Sequence, residues 1–483
     1  MAFIEAIKND DLEKVKDIFP KIHIRRRKNI FLLACTFGSL EIVKEFIFKF
    51  RDDYHLITKA TSCAIVNGHL SVIQCIYNSG AIIQYCNKED FLDVCKNGYI
   101  DVLKYILPSK FKLYYNSALK LAALNGHLSI VKFLCEAGAD VCYYDDVVLS
   151  SACLNGNMEV IEYLVSFGAD IKSPNAFFNA IKGGHMSLVK YFVNLGIKND
   201  YGILDACEFG HLELVKYFVE ELSVNVNLTN NLSVRLASKN GHIEVVKYLC
   251  ERGANTRTDN DTAFQKACDN GHLEVVKYLC EKGAFIQAGS NYGICVSALR
   301  GHLSIVKYLH LEMNDNIRCL NNSPIILASE YGCLDIVKYL YEVGNVNIPN
   351  EAVVRACKNN RLEVVKYLYK FGGDIKGSYY ESPMKEALQN GHIEVVRYLY
   401  DNGVEIKDLD CYLNFKNYCH PNYELCKRYI RFYEKMKTKI RERAAKKIYF
   451  WWIPICYDIN RECGKRMMLQ NLDKAKDLGM EFN

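Results

Sequence analysis

The sequence lacks the short signatures that announce common catalytic sites. It holds no Gly-x-Gly-x-x-Gly, no phosphate-cradling loop ending in Gly-Lys-Ser/Thr, no His-Glu-x-x-His, no Gly-x-Ser-x-Gly and no kinase motif set, so no enzyme is expected. No Cys-x-x-Cys spacing occurs among the 21 cysteines. The longest wholly apolar run, around Ile448–Cys456, falls far short of the ~20 residues that a membrane-spanning helix needs. No signal peptide opens the chain, because Met1-Ala2-Phe3-Ile4-Glu5-Ala6 already belongs to the pattern described next. A soluble, intracellular protein of the cytoplasm is the expectation.

What the sequence has in abundance is one phrase, Asn-Gly-His-Leu-Glu-Val-Val-Lys-Tyr-Leu-Cys, nearly letter for letter at residues 240–250 and 270–280. With the glycine of Gly-His as anchor, copies fall at Gly38, Gly68, Gly98, Gly126, Gly156, Gly184, Gly210, Gly241, Gly271, Gly301, Gly332 and Gly391. Asp10 and Asn360 stand in where the pattern persists without glycine, giving about 14 units at steps of 26 to 31 residues. That range belongs to helical solenoids. Each unit predicts two short antiparallel helices. The first ends at the anchor, where Asn-Gly supplies a left-handed residue that satisfies a helix end; the second stops at a further glycine such as Gly80, Gly138, Gly168, Gly253, Gly283 or Gly403. Val275, Val276 and Leu279 share one face of such a second helix, with Glu274 and Lys277 opposite. One unit cannot bury that face alone, so neighbours must stack.

Ser323-Pro324-Ile325-Ile326-Leu327-Ala328, Ser382-Pro383-Met384-Lys385-Glu386-Ala387 and Thr262-Ala263-Phe264-Gln265-Lys266-Ala267 stand at the offset where the ankyrin repeat opens its first helix with Thr-Pro-Leu-His-x-Ala. On these residues the chain resembles an ankyrin-repeat protein over roughly 400 residues. The resemblance implies an all-α helical solenoid, residues 1–405, followed by a degenerate capping repeat, 406–430, and a basic, aromatic helical tail, 431–483. Most copies are about three residues shorter than the usual period of about 33, and the deficit falls where the family places its β-hairpin. Shortened hairpin fingers are therefore expected. The Asn-Gly-His-rich, Tyr- and Lys-loaded style looks like the short-period ankyrin families encoded by giant DNA viruses of amoebae.

Recurrence also organises the chemistry-bearing residues. Cys35, Cys95, Cys153, Cys207, Cys268 and Cys357 sit three before the anchor, and Cys135, Cys250 and Cys280 nine after it. A position shared by Cys, Ala and Ser is a small core slot, so reduced structural thiols are expected. Eight of the 12 histidines follow the anchor glycine, where an imidazole can bond the backbone of the next inter-helix turn. One such histidine per repeat cannot converge on a metal ion, and no metal or cofactor is expected. Lys or Arg fills the sixth position after the anchor in 12 units and an acid the third in ten. Their i, i+3 spacing makes a neutralised, solvated face rather than a nucleic-acid stripe. Tyrosine recurs one residue later, read as rings packed inward with hydroxyls reaching water rather than as a base-stacking platform.

Residues that meet a partner need not recur. The variable places are finger tips and the solvent side of first helices: Tyr143, Tyr144, Asp145, Asp146, Arg257, Asp259, Asn260, Tyr292, Tyr379 and Tyr380. By resemblance those elements line the concave groove, and partner contacts are expected there.

The tail reads differently. Residues 427–447 hold ten Lys or Arg against Glu434 and Glu442, a local +8 in a chain of net charge +5. Trp451 and Trp452, the only tryptophans, follow directly. The tail fits a capping helix, a protein-docking site or an anionic contact; poxviral ankyrin proteins carry an F-box-like segment in this place. Arg25-Arg26-Arg27-Lys28 fits either nuclear import or a solvated finger, and Cys411, Cys419, His420 and Cys426 match no common zinc spacing. The leading expectation is a monomeric, non-catalytic scaffold that binds proteins through the solenoid. The alternative is a substrate receptor whose residues 431–483 recruit a ubiquitin ligase subunit. Nucleic-acid or membrane attachment by the tail ranks below both.

Overall fold

The computed structural model describes residues 2–18, 23–80, 87–106, 109–197, 199–285, 288–377 and 382–404. Among these residues there is no strand, and 28 α-helices follow one another as 14 pairs. The chain divides into two compact units, the first Met1–Ala267 with Glu274–Ala284, the second Cys268–Leu273 with Phe285 onward. The expected capping repeat and tail, with Trp451, Trp452 and the Cys411–Cys426 cluster, lie outside the described residues.

Each unit is a stack of helix pairs, and within it consecutive first helices pack most extensively. The cause is visible four residues before the anchor, where Ala64, Ala122, Ala152, Ala206, Ala328 and Ala356 are fully buried. A methyl group lets neighbouring backbones approach closely. Second helices bury the expected stripe: Val275, Val276 and Leu279 are buried, while the Glu274 side chain stays 70% exposed.

The inter-helix turn is built the same way throughout. All twelve anchor glycines have positive φ, and the stand-ins Asp10 and Asn360 adopt it too, at φ 53° and 58°. A second constraint acts at the anchor. A Cβ on Gly38, Gly156 or Gly210 would lie 2.4 to 2.5 Å from Nδ1 of His69, His185 or His242, the histidine one repeat later. That imidazole rests on the glycine and donates from Nε2 to the carbonyl two residues before it: His69 to Thr36 at 2.9 Å, His127 to Lys96 at 2.8 Å, His242 to Glu208 at 3.0 Å and His302 to Asp269 at 3.1 Å. The carbonyl acceptor requires the Nε2–H tautomer. The histidine thus latches onto the preceding turn, not the following one as the sequence reading has it. At three replacements of histidine the latch survives: Asn157 donates to Ala123 at 3.3 Å and Leu124 at 3.5 Å, Cys333 to Leu299 at 3.6 Å and Arg361 to Glu330 at 3.1 Å; at Tyr99 the ring still rests on Gly68, and Asn97 donates to Val66 at 3.2 Å. At Asp10 the carboxylate instead accepts from the amides of Glu41 and Ile42, at 2.9 and 3.0 Å.

The glycines that end second helices obey only the first constraint. Gly80, Gly138, Gly168, Gly253, Gly283 and Gly403 all have positive φ, and a Cβ on any of them would meet nothing within 4 Å. One second helix departs from the pattern: after Leu212–Lys216 the backbone widens into a π turn over Tyr217–Glu221. The step from Gly210 to Gly241 is one of the longest, and a π turn is a way to absorb an extra residue without losing the face that packs inward.

Candidate partner-binding surface

The outer stripe of second helices satisfies itself. Lys44, Lys216, Lys247, Lys277 and Lys366 pair with the acid three residues earlier at 2.6 to 3.0 Å, as the spacing implies. In four units serine replaces that acid, at Ser71, Ser129, Ser187 and Ser304, and the last three of these carry a lysine three residues on. There the lysine lies over the tyrosine ring of the next repeat: Lys132 over Tyr163 at 5.5 Å, Lys190 over Tyr217 at 4.8 Å and Lys307 over Tyr339 at 5.6 Å. A cation–π contact replaces the i, i+3 ion pair, and Lys190 also pairs with Glu221 of the next repeat at 3.1 Å. Arg397 pairs with Asp401 instead, at 3.7 Å.

The tyrosine ladder is deeper than expected. Tyr217, Tyr248, Tyr308 and Tyr339 are buried, whereas Tyr105 is exposed. Two hydroxyls turn to carboxylates rather than water, Tyr248 to Glu220 at 3.0 Å and Tyr367 to Glu342 at 2.7 Å. Burial and then the Glu220 contact push the Tyr248 phenol up to about 12. Such rings offer no open platform for stacked bases.

The cysteine column behaves as a core slot. Cys35, Cys95, Cys153, Cys207, Cys268 and Cys357 are buried, and burial pushes the Cys153 and Cys357 thiols up to about 12. Among the described residues no group of three or more His, Cys, Asp or Glu side chains is placed to hold a metal ion, and no helix is long and apolar enough to cross a membrane.

The finger end of the repeat is built by side chains. Instead of a hairpin, an Asx turn follows the second helix. Asp140, Asp170, Asn199, Asn225, Asn255, Asn316 and Asp374 each accept, through Oδ1, the amide two residues on, at 2.8 to 3.0 Å. This turn needs only a few residues, which accounts for the shortened period. In the sequence these residues stand 14 or 15 positions after the anchor. The first helix is then entered through residues of left-handed conformation: Thr229, Asn230 and Asn231 in one repeat, Leu320, Asn321 and Asn322 in another. Asn and Asp tolerate that conformation because their short side chains bond locally; a leucine there is costly.

Of the expected contact residues, Tyr144 is 80% exposed, Tyr143 and Tyr292 are exposed, and Tyr143 and Tyr144 lie with ring centroids 5.7 Å apart. Tyr144 and Asp146 are left-handed, at φ 51° and 57°. Asp259, also left-handed, is drawn into the fold, accepting from Asn230 at 3.0 Å and Arg235 at 2.8 Å in the preceding repeat. Arg257 is exposed and lies 3.9 Å from the Asp261 carboxylate. The side chains of Asp145 and Asn260, and residues Tyr379 and Tyr380, lie outside the described residues. The structure adds Leu113 and Leu320, 83% and 56% exposed, at the same level of the repeat as Tyr144. On the first helix Gly202–Phe209, burial and then Glu208 push the Asp205 carboxyl up to about 6. The basic cluster belongs to the first helix Ile24–Phe37, where Lys28 pairs with Asp53 at 2.5 Å.

The family model described as Ankyrin repeats (3 copies) matches residues 149–230, 203–290 and 343–410, and that described as Ankyrin repeat matches 114–146 and 320–351. Together they span more than half of the sequence. The chain is an ankyrin-repeat protein. The human ASB11 ankyrin repeat domain is similar to it at 23% identity over 40% of this chain and 96% of that one, with a TM-score of 0.34. No curated protein matches. Ankyrin repeats are protein–protein interaction modules and are generally non-enzymatic. In this ankyrin chain the helix pairs also continue through stretches that no family model matches, such as Leu40–Phe50 and Tyr54–Val66.

Proposed function

We propose that the protein is a non-catalytic scaffold that binds partner proteins through its fingers and first helices, the face that lines the groove in the ankyrin family. One observation carries this reading: large side chains project from the fingers into solvent, Tyr144 above all, 80% exposed on a left-handed backbone with its ring beside that of Tyr143. The second-helix stripe, by contrast, consumes its charges and rings within the stack. Strained, exposed positions are drawn to recognition sites, and tyrosine supplies contact area at low entropic cost.

A photo-crosslinking residue at position 144 tests the proposal against one at Phe167, which is 46% exposed at the end of the second helix of the same repeat. Partner adducts are expected from position 144 and not from 167; the reverse pattern would refute the assignment of the face. The finer reading, with residues 431–483 as a ubiquitin ligase recruiter, belongs to the same proposal and rests on the tail's composition alone. Deleting 431–483 then removes ligase subunits while crosslinks at 144 persist. A cytoplasmic monomer fits both readings, and likeness to giant-virus families is one of repeat style.

A further inference from the structure

Cys295 and Cys319 belong to neither recurring cysteine column. Cys295 lies in the first helix Ala288–Arg300, and Cys319 opens the next first helix, Cys319–Tyr331, on its finger side. Their Sγ atoms are 3.6 Å apart, hydrogen-bonded between consecutive repeats. The fold ties a first helix to the following finger elsewhere too: Arg235, equally six residues before its anchor, holds Asp259 at 2.8 Å. A disulfide requires sulfurs at about 2.05 Å, so closure needs an approach of only about 1.5 Å.

We propose that Cys295 and Cys319 form a redox modification site, at which a peroxide converts the pair to a disulfide that staples two consecutive repeats. The inference does not depend on partner binding. The hydrogen bond shared with Cys295, with one from the Asn291 side chain, holds the Cys319 thiol below the ordinary range against burial and the Asp315 carboxyl. Cys319, which opens its helix on the finger side, is assigned the nucleophile's part. Its thiolate attacks one peroxide oxygen, the O–O bond breaks, and a sulfenic acid forms while the departing hydroxide takes up the thiol proton as water. Cys295 then attacks the sulfenyl sulfur; the S–S bond forms, the S–O bond breaks, and the second water carries the remaining proton. Two thiols lose two electrons and two protons, and one hydrogen peroxide becomes two waters. The core-slot thiols compete poorly, since Cys35, Cys153, Cys207 and Cys357 are fully buried and burial raises each of them. Cys295 and Cys319 are themselves buried, at 7% and 4% exposure, and Cys142 is exposed, so proximity rather than access favours the pair.

The test is peptide mapping without reductant after brief treatment of the reduced full-length protein with hydrogen peroxide. The expected product is a Cys295–Cys319 linked peptide, lighter by about 2 Da than its two thiol peptides and reversed by dithiothreitol. Hydrogen exchange over residues 288–331 should slow about tenfold with it. Cys295→Ser should leave Cys319 as a dimedone-reactive sulfenic acid and abolish the slowing. The proposal is overturned if peroxide marks other cysteines while both thiols remain alkylatable, or if the link forms only in denaturant. The wild-type map decides this even where a variant fails to fold.

Discussion

The two ends of each helix pair solve the same problem by opposite means. At the inter-helix turn one solution is used again and again: a left-handed anchor, a ring laid over it from the next repeat, and a bond to the carbonyl two residues before it. At the finger end each repeat improvises, with an Asx turn, an ion pair such as Arg235–Asp259, a thiol pair, or an exposed ring such as Tyr144. Both ends face water, so exposure does not separate them. What separates them is that one end carries the stack's nearest-neighbour coupling, and a part with that duty cannot vary from copy to copy. The other end is free to differ, and only the freer end can encode a partner.

Substitutions sharpen this contrast. The largest effect is expected in the shared core, where Leu279→Ala removes a fully buried side chain and should cost about 2–5 kcal/mol. Hydrogen exchange should report loosening in adjacent repeats first, not loss of the whole chain at once. Next comes a matched pair of glycines. Gly210→Ala meets both the positive φ and the His242 ring, whereas Gly253→Ala meets the φ alone. Local exchange should show about 2–4 kcal/mol for the first and about 1–2 kcal/mol for the second. Equal costs would break the claim that the latch adds to the turn.

Two smaller effects follow. Burial and then Glu208 push the Asp205 carboxyl up to about 6, above the ordinary carboxylate range near 3.8. Its protonated form is favoured by folding, so its contribution is fully present below about 3.8 and lost as pH rises through about 6. Asp205→Asn should thus stabilise the first unit by about 1 kcal/mol at pH 7.5, a figure already discounted for partial solvent screening, and do little at pH 3.5. Denaturation at the two pH values checks it. Smallest of all, Glu244→Ala breaks an exposed pair with Lys247 and should move stability by no more than about 0.5 kcal/mol.

The repeat unit, its two helices, the left-handed anchors and the small core slot were all legible, because each is a local rule repeated many times and Gly38, Ala64 or Cys153 can hardly serve another purpose in that phrase. The direction of the histidine latch was not, since spacing alone does not say which neighbour an imidazole reaches. The fingers were legible only as a deficit. Their replacement by Asx turns was written in Asp140, Asn225 and Asn255, but irregular spacing hid the column. Of the expected contact residues, Tyr143, Tyr144 and Tyr292 are exposed, whereas Asp259 is committed to Asn230 and Arg235. A variable residue is not thereby an unoccupied one. The thiol pair was hidden for a related reason: Cys295 and Cys319 are 24 residues apart, a distance that no repeat column marks.

The account stands or falls on the independence of the two ends, and a Tyr143→Ala/Tyr144→Ala double variant of the full chain measures it. Hydrogen exchange over the helix pair Tyr143–Asn155 and Met158–Ser166 and over its neighbours should match wild type within about threefold, since these tyrosines lie outside the latch and the core, while partner capture is lost. Accelerated exchange through the neighbouring repeats with capture intact would contradict the account, because it would make the fingers structural and leave recognition to another face.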